Sequence, residues 1–569
     1  MNTGDQQPQR TGLFQHSSYR SSCLLDDRML QIRVHPREGT GPLIGPTLEG
    51  PISIAGLLQV GLKAGPDELA LVSSVDRWTW RALEKASGNL AGNFLALGLR
   101  PGDRVASLMP NSTVLLIYYL ACMKAGLVAV PLNYRYVPPE IDHALDVSEA
   151  SILLAHSERL AEIGVSEAAK RLPHGVISDE GGNPDKPSLS KLIEADAARA
   201  ELPRSAPNDP ALIYFTSGST GPAKGVTHSR EALGWMFASG AAALEVTPRD
   251  IVLPASSISH IASCIFSLGA LATGARVVVA GSYDSGEILS LLRGQRPTVL
   301  WMLPAALFSL VRDQSAVRAD FRSLRVCASG GDKVPDELQR EFIELTGMPI
   351  DEGYGMTETG VAALNPPSGV IKLGSIGRPA PGVSLSIRDE DGREVPPGVE
   401  GRLWIKSRSI TIGYWKDAAA TAAIIRDGWL DSGDLMKADA DGYLRFCSRR
   451  KQVIVHNGLN ICPQEVEEAL LQHVSVENAC VVGVHDLLHG ENVHAYVTIK
   501  DGVPAPGMQE LIQFVRARVG HKAPSEIGFL REMPLSPVGK VDRAALKRMA
   551  AGASRGEHGA VMGSALPTT

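Results

Sequence analysis

Long runs of basic residues are missing from this sequence, and positive charge does not predominate in it. Lysine and arginine total 56, against 62 aspartates and glutamates, and the formal net charge of the 569 residues is −6 at pH 7. Attraction to nucleic acid or to an anionic membrane surface requires clustered positive charge. The composition therefore favours neither as a partner, although a local basic patch would still be compatible with it.

Cysteine is scarce and shows no metal-binding spacing. The seven cysteines are an odd number, and no two of them are separated as zinc ligands usually are. This pattern favours free thiols in a reducing compartment over a disulfide framework or a zinc site. The first ten residues, MNTGDQQPQR, also lack the charged-then-apolar layout of a secretory signal. We therefore expect a cytoplasmic protein.

An uninterrupted apolar run of membrane-spanning length is absent as well. Residues 114–132 (VLLIYYLACMKAGLVAVPL) come closest, but Lys124, Gly126 and Pro131 interrupt them. A spanning helix needs about 20 predominantly apolar residues. The segment instead predicts a buried helix that ends near residues 124–126, then a short buried strand, and no membrane span.

Short apolar runs alternate with helical patterns through most of the chain. The predicted strands are residues 211–215, 276–280, 298–303 and 325–328, and the predicted helices are 287–294, 305–313 and 336–346. This alternation predicts an α/β fold with mostly parallel sheets. From Val383 onwards, two alternating segments around turn-rich stretches predict a smaller antiparallel β unit.

The chain is too long for one hydrophobic core, because cores stop growing at roughly 250–300 residues. A small α+β domain is predicted from residue 449, with strands at 453–455, 480–484 and 493–499 and helices from Pro463 and near 508–519. The predicted boundaries are a flexible extension at 1–50, a large N-terminal domain at 51–448, a C-terminal domain at 449–550 and a flexible tail at 551–569.

The strongest single feature is TSGSTGPAKG at residues 216–225, directly after a predicted strand. Glycines let a backbone approach a ligand closely, and successive N–H groups of such a loop form an anion-binding nest. It is not a Walker A loop, because glycine follows its lysine. We predict a phosphate-binding loop, although Ser/Gly composition alone would also fit a flexible linker. Its candidate ligand-binding residues are Thr216, Ser217, Gly218, Ser219, Thr220, Gly221 and Lys224.

Four further segments follow this loop: 351–360 (DEGYGMTETG), 428–435 (GWLDSGDL), 448–467 (SRRKQVIVHNGLNICPQEVE) and 534–543 (PLSPVGKVDR). In this order, the five segments resemble the signature motifs of the adenylate-forming superfamily. That superfamily includes acyl-CoA synthetases, aryl-CoA ligases, firefly luciferase and the adenylation domains of peptide synthetases. The resemblance covers roughly residues 51–548 and is more specific for the superfamily than for a substrate.

The resemblance assigns the nucleotide to two of these segments. Gly353 and Tyr354 would lie against adenine, since an aromatic ring suits a flat base. Asp434 would accept hydrogen bonds from the ribose hydroxyls. Arg449 would be the positively charged residue on the ribose or phosphate side of the nucleotide. From the residues alone, Tyr354 could equally be a core tyrosine and Asp434 a turn acid.

The resemblance also assigns the catalytic groups. Thr357 and Glu358 would serve the triphosphate, with Glu358 as a Mg²⁺ ligand, since a carboxylate beside phosphates needs a cation between them. Without the resemblance, Glu358 would fit a solvated turn acid. Lys540 would be the catalytic lysine, together with Lys224. Lys451 would be the hinge on which a mobile C-terminal domain rotates between two half-reactions.

The acyl pocket is expected from residues 235–240, 260–266, 302–308 and 330–331, with His260, Cys264, Gly330 and Gly331 as named candidates. A lone histidine on an apolar stretch is more often a core or gate residue than a catalyst, so His260 is interpreted as pocket-lining. Cys264 lies four residues later and could face the same pocket on a helix.

These features predict an enzyme that activates a carboxylic acid with ATP and Mg²⁺ to acyl-AMP and then transfers the acyl group to coenzyme A. A fatty, aryl or other hydrophobic acid would fit. One alternative is transfer to a carrier-protein thiol or an amine. This alternative stays open because His456, Asn457 and Gly458 differ from the superfamily's usual sequence of a small residue and two glycines. That sequence lies near the path of the pantetheine arm of coenzyme A. A non-catalytic nucleotide- or acyl-binding relative is the other alternative.

Overall fold

The computed structural model describes residues 41–180, 187–197, 202–216, 223–449, 452–456, 459–486, 490–536 and 539–554. Its strands are β1 (Leu43–Ile44), β2 (Leu69–Val72), β3 (Arg77–Thr79), β4 (Arg104–Leu108), β5 (Val128–Pro131), β6 (Ile152–Ala155), β7 (Val176–Ser178), β8 (Pro210–Thr216), β9 (Lys224–Ser229), β10 (Ile251–Ala255), β11 (Arg276–Val278), β12 (Val299–Met302), β13 (Val326–Gly330), β14 (Asp351–Met356), β15 (Gly360–Leu364), β16 (Arg378–Pro379), β17 (Val383–Arg388), β18 (Gly401–Ser407), β19 (Gly413–Tyr414), β20 (Ile425–Arg426), β21 (Trp429–Ala438), β22 (Leu444–Arg449), β23 (Ile454–His456), β24 (Leu459–Ile461), β25 (Val476–Asp486), β26 (Gly490–Ile499) and β27 (Glu526–Phe529).

The helices connect these strands and cover their faces. They are α1 (Gln59–Ala64), α2 (Trp80–Ala96), α3 (Thr113–Ala125), α4 (Pro138–Ser148), α5 (Leu160–Val165), α6 (Glu167–Lys170), α7 (Leu189–Glu194), α8 (Arg230–Ala243), α9 (Ile261–Thr273), α10 (Ser285–Gln295), α11 (Pro304–Val311), α12 (Asp336–Thr346), α13 (Ala418–Ile424), α14 (Pro463–Leu471), α15 (Met508–Val519) and α16 (Arg543–Ser554).

Two large sheets form the body of the molecule. One has the order β16-β15-β14-β13-β12-β10-β11-β2-β3 and the other β19-β9-β8-β5-β4-β6-β7. Their central strands are parallel, and the antiparallel pairs lie towards the edges. This arrangement confirms the predicted α/β fold with mostly parallel sheets.

Both sheets are covered on both faces, which explains why their strands are almost continuously apolar. The largest buried cluster joins the two sheets through α2, α3, α8 and α9. Helices α10, α11 and α12 cover the outer face of the first sheet, and α4, α5 and α6 cover that of the second.

Helix α3 confirms the reading of the apolar segment at 114–132. The Ser112 hydroxyl caps its start by accepting from the N–H of Leu115, and Gly126, at φ 70°, ends it in a left-handed conformation. Almost every side chain of α3 is buried, because it packs between other elements of the core. Among the described residues, no helix has the length and apolarity needed to cross a membrane.

The β unit and the C-terminal part follow the large sheets. Strands β1, β17, β18, β20, β21 and β22 form an antiparallel sheet, as expected from residue 383 onwards. Strands β23 to β27 form a separate sheet packed with α14 and α15.

The described residues extend into both predicted ends of the chain. Residues 1–40 lie outside the described residues, but Leu43–Ile44 pair with β17, so the last part of the predicted 1–50 extension belongs to the fold. Helix α16 continues to Ser554, past the expected boundary at 550. Residues 555–569 lie outside the described residues, and the other domain boundaries stay predictions.

Candidate active site

The predicted phosphate loop joins two adjacent strands. Strand β8 ends at Thr216, β9 begins at Lys224, and these two residues are register partners. The flanks of the loop therefore close an antiparallel pair within the second sheet, unlike the ends of a linker between domains. Residues 217–222, and with them Ser217, Gly218, Ser219, Thr220 and Gly221, lie outside the described residues.

Lys224 faces two side chains that the sequence analysis did not single out. Its Nζ lies 3.7 Å from Asp417 Oδ2 and 5.0 Å from the centroid of the Tyr414 ring. The lysine side chain is 46% exposed, so both interactions are screened by water and weak. Its ammonium group therefore stays accessible to an anionic ligand.

Glu358 is enclosed, which does not fit a solvated turn acid. Its exposed fraction is 7%, and the Tyr414 hydroxyl donates to Glu358 Oε1 at 2.9 Å. The N–H of Thr411 donates to the backbone carbonyl of Glu358 at 2.6 Å. Burial and the neighbouring Glu358 carboxylate raise the pKa of Tyr414. The phenol therefore keeps its proton and remains a donor to Glu358.

His228 forms a hydrogen bond with Thr357, the other candidate catalytic residue of this turn. Its Nε2 lies 2.8 Å from the carbonyl oxygen of Thr357, and burial lowers the pKa of His228 to about 4. The neutral ring therefore donates from Nε2, and Nδ1 has no hydrogen-bond partner among the described residues. This bond ties β9, directly after the phosphate loop, to the turn that carries Glu358.

Tyr354 and Asp434, the predicted adenine and ribose residues, contact each other directly. The Tyr354 hydroxyl donates to Asp434 Oδ2 at 2.6 Å, and Asp434 is only 7% exposed. Asp434 is also the register partner of Arg449 across β21 and β22, although the Arg449 side chain lies outside the described residues. Residues 80 positions apart in the sequence are thus brought to one place.

Two consecutive positions at the end of β13 favour glycine, Gly330 because of close packing and Gly331 because of its backbone conformation. A Cβ at Gly330 would lie 2.5 Å from the carbonyl oxygen of Gly353, which is its register partner on β14. Gly331 has φ 82°, a conformation that favours glycine. The carboxyl ends of β13 and β14 therefore present bare backbone beside Tyr354.

His260 and Lys540 bring the C-terminal part of the chain to this edge. His260 precedes α9, and burial, with a smaller contribution from the charge of Lys540, lowers its pKa to about 4. The loop that carries Lys540 is closed by the Ser536 N–H, which donates to the Lys540 carbonyl at 2.6 Å. Lys540 therefore lies near the residue that was expected to mark the acyl pocket.

Cys264 lies one turn beyond His260 on α9, and its side chain is fully buried in the main core. Burial raises the pKa of its thiol to about 12, and the hydroxyls of Tyr214 and Tyr119 are its polar neighbours. This setting suits a packing role, and the predicted contact with the acyl pocket stays a prediction. Lys451 lies outside the described residues, so its hinge role stays a prediction as well.

Ion pairs connect the C-terminal part to the large domain. Lys500 Nζ lies 3.1 Å from Glu337 Oε1, and Arg312 Nη1 lies 3.3 Å from Glu477 Oε1. Such partly exposed pairs are worth about 0–1 kcal/mol each. These two pairs therefore add little to the stability of the contact between the two parts.

The residues fit a magnesium ion that is bound mainly by phosphate. No cluster of three or more His, Cys, Asp or Glu side chains that could hold a metal occurs within the described ranges. Mg²⁺ is typically bound through one or two carboxylates and substrate phosphates, without a dedicated protein cage. Glu358 would supply the carboxylate, and the ion would neutralise phosphate charge.

The arrangement suits a reaction between two anions. A carboxylate and a triphosphate repel each other, so the site must supply positive charge and fixed placement. Lys224 lies on the phosphate-loop side, the charge of Lys540 acts on His260, and Tyr354 with Asp434 offers a surface for a nucleoside. Tyr414, His228 and Asp417 were missed, because no spacing in the sequence connects them to the motifs they support.

Comparison with known proteins agrees with this geometry. The family model for AMP-binding enzymes matches residues 58–415, and the model for the AMP-binding enzyme C-terminal domain matches residues 465–540. A feruloyl-CoA synthase of Amycolatopsis sp is 34% identical over 474 residues, covering 83% of this chain and 93% of the relative. A long-chain-fatty-acid–CoA ligase of Escherichia coli O6:H1 is 30% identical over 543 residues, covering 88% and 95%.

A solved structure supports the same assignment. ATP-bound MatB from Rhodopseudomonas palustris superimposes with a TM-score of 0.82 at 27% identity, covering 88% of this chain and 99% of that one. The two family models together span both the large domain and the C-terminal part. The chain therefore belongs to the AMP-binding enzyme family of the adenylate-forming superfamily and is an AMP-forming acid–CoA ligase.

Proposed function

We propose that this enzyme joins a hydrophobic carboxylic acid to the α-phosphorus of ATP, forming acyl-AMP with release of pyrophosphate, and then transfers the acyl group to coenzyme A with release of AMP. Three observations support the proposal: the Tyr354–Asp434 hydrogen bond, the enclosed Glu358 carboxylate and the effect of the Lys540 charge on His260. These groups offer places for a nucleoside, for metal-bound phosphates and for the reacting carboxylate.

The proposed roles follow from these positions. Asp434 and Tyr354 hold the nucleoside, Lys224 and the loop at 216–225 hold the phosphates, and Glu358 binds Mg²⁺. Lys540 stabilises the charge that develops when the acid attacks the α-phosphorus. Relatives named for coenzyme A support this acceptor over a carrier-protein thiol or an amine.

The apolar residues around His260 support a hydrophobic acid. Ile261 and Ala262 at the start of α9 are partly buried against the main core, and Ile265 and Phe266 follow one turn later. A cytoplasmic location is also part of the proposal, supported by the six cysteines with free thiols among the described residues.

A two-stage assay tests the proposed reaction. ATP–pyrophosphate exchange is measured with a panel of aromatic and aliphatic acids, and AMP release is then measured with and without coenzyme A. We expect exchange with at least one hydrophobic acid, and AMP release that depends on coenzyme A. Exchange without any effect of coenzyme A would overturn the acceptor, and no exchange with any acid would overturn the activation step.

A further inference from the structure

Residues 409–415, called here the linking segment, lie between two parts of the candidate site. Strand β19 within this segment pairs antiparallel with β9, the strand that follows the phosphate loop. Ser409 and Thr411 are only 1% and 2% exposed. Polar side chains at such positions are hydrogen-bonded as a rule, so their partners indicate what the segment does.

The linking segment and His228 together hold the backbone of the turn at 357–359, which carries the proposed metal ligand. The carbonyl oxygens of these three consecutive residues each accept a hydrogen bond. His228 Nε2 donates to the first at 2.8 Å, the Thr411 N–H to the second at 2.6 Å, and the Ser409 hydroxyl to the third at 2.9 Å. A shift of this turn would leave polar groups unpaired, which is costly, so the turn is fixed through its backbone.

The linking segment also holds the strand that leaves the phosphate loop. The Thr411 hydroxyl donates to the carbonyl of Thr227 at 2.6 Å, and the N–H of Ile412 donates to the same oxygen at 3.0 Å. The N–H of Trp415 donates to the carbonyl of Gly225 at 2.7 Å. Gly225 is the last residue of the predicted phosphate loop, so these bonds reach the loop itself.

Thr411 is the residue that joins the two sets of contacts. Its N–H bonds the turn, its hydroxyl bonds β9, and the hydroxyl also accepts from the N–H of Gly413 at 3.0 Å. A carboxylate and a phosphate can share one Mg²⁺ only at a fixed spacing, because this ion has short bonds and demands near-ideal octahedral geometry. The bonds of Thr411 therefore fix the spacing that such an ion would need between Glu358 and the phosphate loop.

Resting on the proposed function, we infer that Thr411 and Ser409 are positioning residues for the first half-reaction. They act through the backbone of the Glu358 turn, which they hold at a set distance from β9 and the phosphate loop. Acyl transfer to coenzyme A involves no triphosphate, so this second half-reaction does not depend on them.

Thr411→Val tests this role, because valine keeps the branched shape and removes the hydroxyl. ATP binding is measured by isothermal titration calorimetry in Mg²⁺ and in EDTA. The factor by which Mg²⁺ tightens ATP binding should fall about fivefold in the variant, the effect of one hydrogen bond, while the Kd for ATP in EDTA stays within about twofold of wild type. Thr411→Ser keeps the hydroxyl and should restore the factor.

The two half-reactions provide a second readout. ATP–pyrophosphate exchange by Thr411→Val should need about fivefold more Mg²⁺ for half-maximal rate, whereas thioester formation from supplied acyl-adenylate should stay within about twofold of wild type. Ser409→Ala removes only the hydroxyl bond to the turn and should act in the same direction by about threefold, so it replaces Thr411→Val if that variant folds poorly. An equal loss of both half-reactions would overturn the inference while leaving the proposed reaction intact.

Ser375→Ala is the matched control for these substitutions. The Ser375 hydroxyl donates to the carbonyl of Leu444 at 2.8 Å and accepts from the N–H of Gly377 at 3.0 Å, the same two kinds of contact that the Thr411 hydroxyl makes. Ser375 is 1% exposed and lies outside the segments proposed to bind the nucleotide. Its Mg²⁺ factor should equal that of wild type. An unchanged factor in Thr411→Val, or an equal fall in Ser375→Ala, would overturn the positioning role.

Discussion

At the scale of single residues, Tyr414 connects two charged groups that lie far apart in the sequence. Its hydroxyl donates to Glu358, and its ring faces the ammonium group of Lys224. One side chain thus donates a hydrogen bond to the proposed metal ligand and lies close to the proposed phosphate cation. Because neither contact is local in sequence, only the fold places Tyr414 in the site.

Tyr414→Phe removes the hydroxyl and keeps the ring. A hydrogen bond to a charged group is worth about 1.5–3 kcal/mol, so we expect at least about a tenfold increase in the Mg²⁺ concentration needed for half-maximal ATP–pyrophosphate exchange. The variant should keep the thermal stability of a folded protein. An unchanged Mg²⁺ titration would show that Tyr414 does not position Glu358.

Tyr443→Phe provides a matched control for this prediction. The Tyr443 hydroxyl donates to the carbonyl of Val370 at 2.6 Å, and its ring faces Lys372 at 4.5 Å, outside the proposed site. Like Tyr414→Phe, this variant removes the hydroxyl of a tyrosine whose ring faces a lysine. Its Mg²⁺ titration should match that of wild type.

Asp351 makes the stability of the protein depend on pH. It is 3% exposed, its Oδ1 has no hydrogen-bond partner among the described residues, and burial raises its pKa to about 7. Between about pH 4 and pH 7, the folded state holds a proton that the unfolded state has released. The free energy of unfolding should therefore fall as pH rises through this window, by up to a few kcal/mol, and level off above it.

Asp351→Asn should remove this part of the pH dependence, because the amide does not titrate. Urea unfolding of wild type and variant at pH 5, 6, 7 and 8 measures the effect. The variant should gain stability relative to wild type as pH rises. Parallel pH curves for the two proteins would show that Asp351 does not titrate in this window.

At the scale of elements, the sequence predicts five of the parallel strands, leaves out others such as β4, β6 and β10, and fails where contacts are distant. The apolar runs at 211–215 and 298–303 correspond to β8 and β12, since buried parallel strands have a strong local signal. The pairing of Leu43–Ile44 with β17 had no such signal, because a two-residue strand depends on its partner. Tyr354, Glu358 and Asp434 could be predicted because they lie in the five motifs. His228 and Tyr414 could not, because they reach the site only through contacts between residues distant in the sequence.

The close approach of β13 and β14 makes Gly330 sensitive to a single methyl group. In Gly330→Ala the new Cβ would meet the carbonyl oxygen of Gly353, and a paired strand cannot move far. We expect a loss of about 1–3 kcal/mol in the free energy of unfolding, typical of overpacking, and a lower rate of ATP–pyrophosphate exchange. Unfolding in urea and the exchange assay measure the two effects.

Gly88→Ala tests whether the effect is specific to that approach. Gly88 lies within α2, and nothing lies within 4 Å of the position its Cβ would take. Alanine at a helical glycine stabilises by about 0.5–1 kcal/mol. Gly88→Ala should thus be neutral or more stable, with normal exchange. Equal behaviour of the two variants would contradict the packing argument at Gly330.

At the scale of the whole molecule, the C-terminal part carries Lys540, the proposed catalytic lysine of the first half-reaction. The charge of Lys540 acts on His260, and partly exposed ion pairs such as Lys500–Glu337 connect the two parts. This arrangement suits the first half-reaction, in which the acid attacks ATP. A contact of this strength would also let Lys540 leave before thiol transfer.

Lys540→Ala therefore should separate the two half-reactions. Loss of a preorganised charge at a reacting phosphate typically costs about 100-fold or more in rate, so we expect adenylate formation from acid and ATP to fall by at least that factor. Thioester formation from supplied acyl-adenylate and coenzyme A should stay near the wild-type rate, because the lysine is not needed there. Lys547→Ala, an exposed lysine on α16, is the control and should leave both rates unchanged. An equal loss of both half-reactions in Lys540→Ala would mean that the lysine supports the fold or the binding of both substrates, and that the C-terminal part does not divide the chemistry in this way.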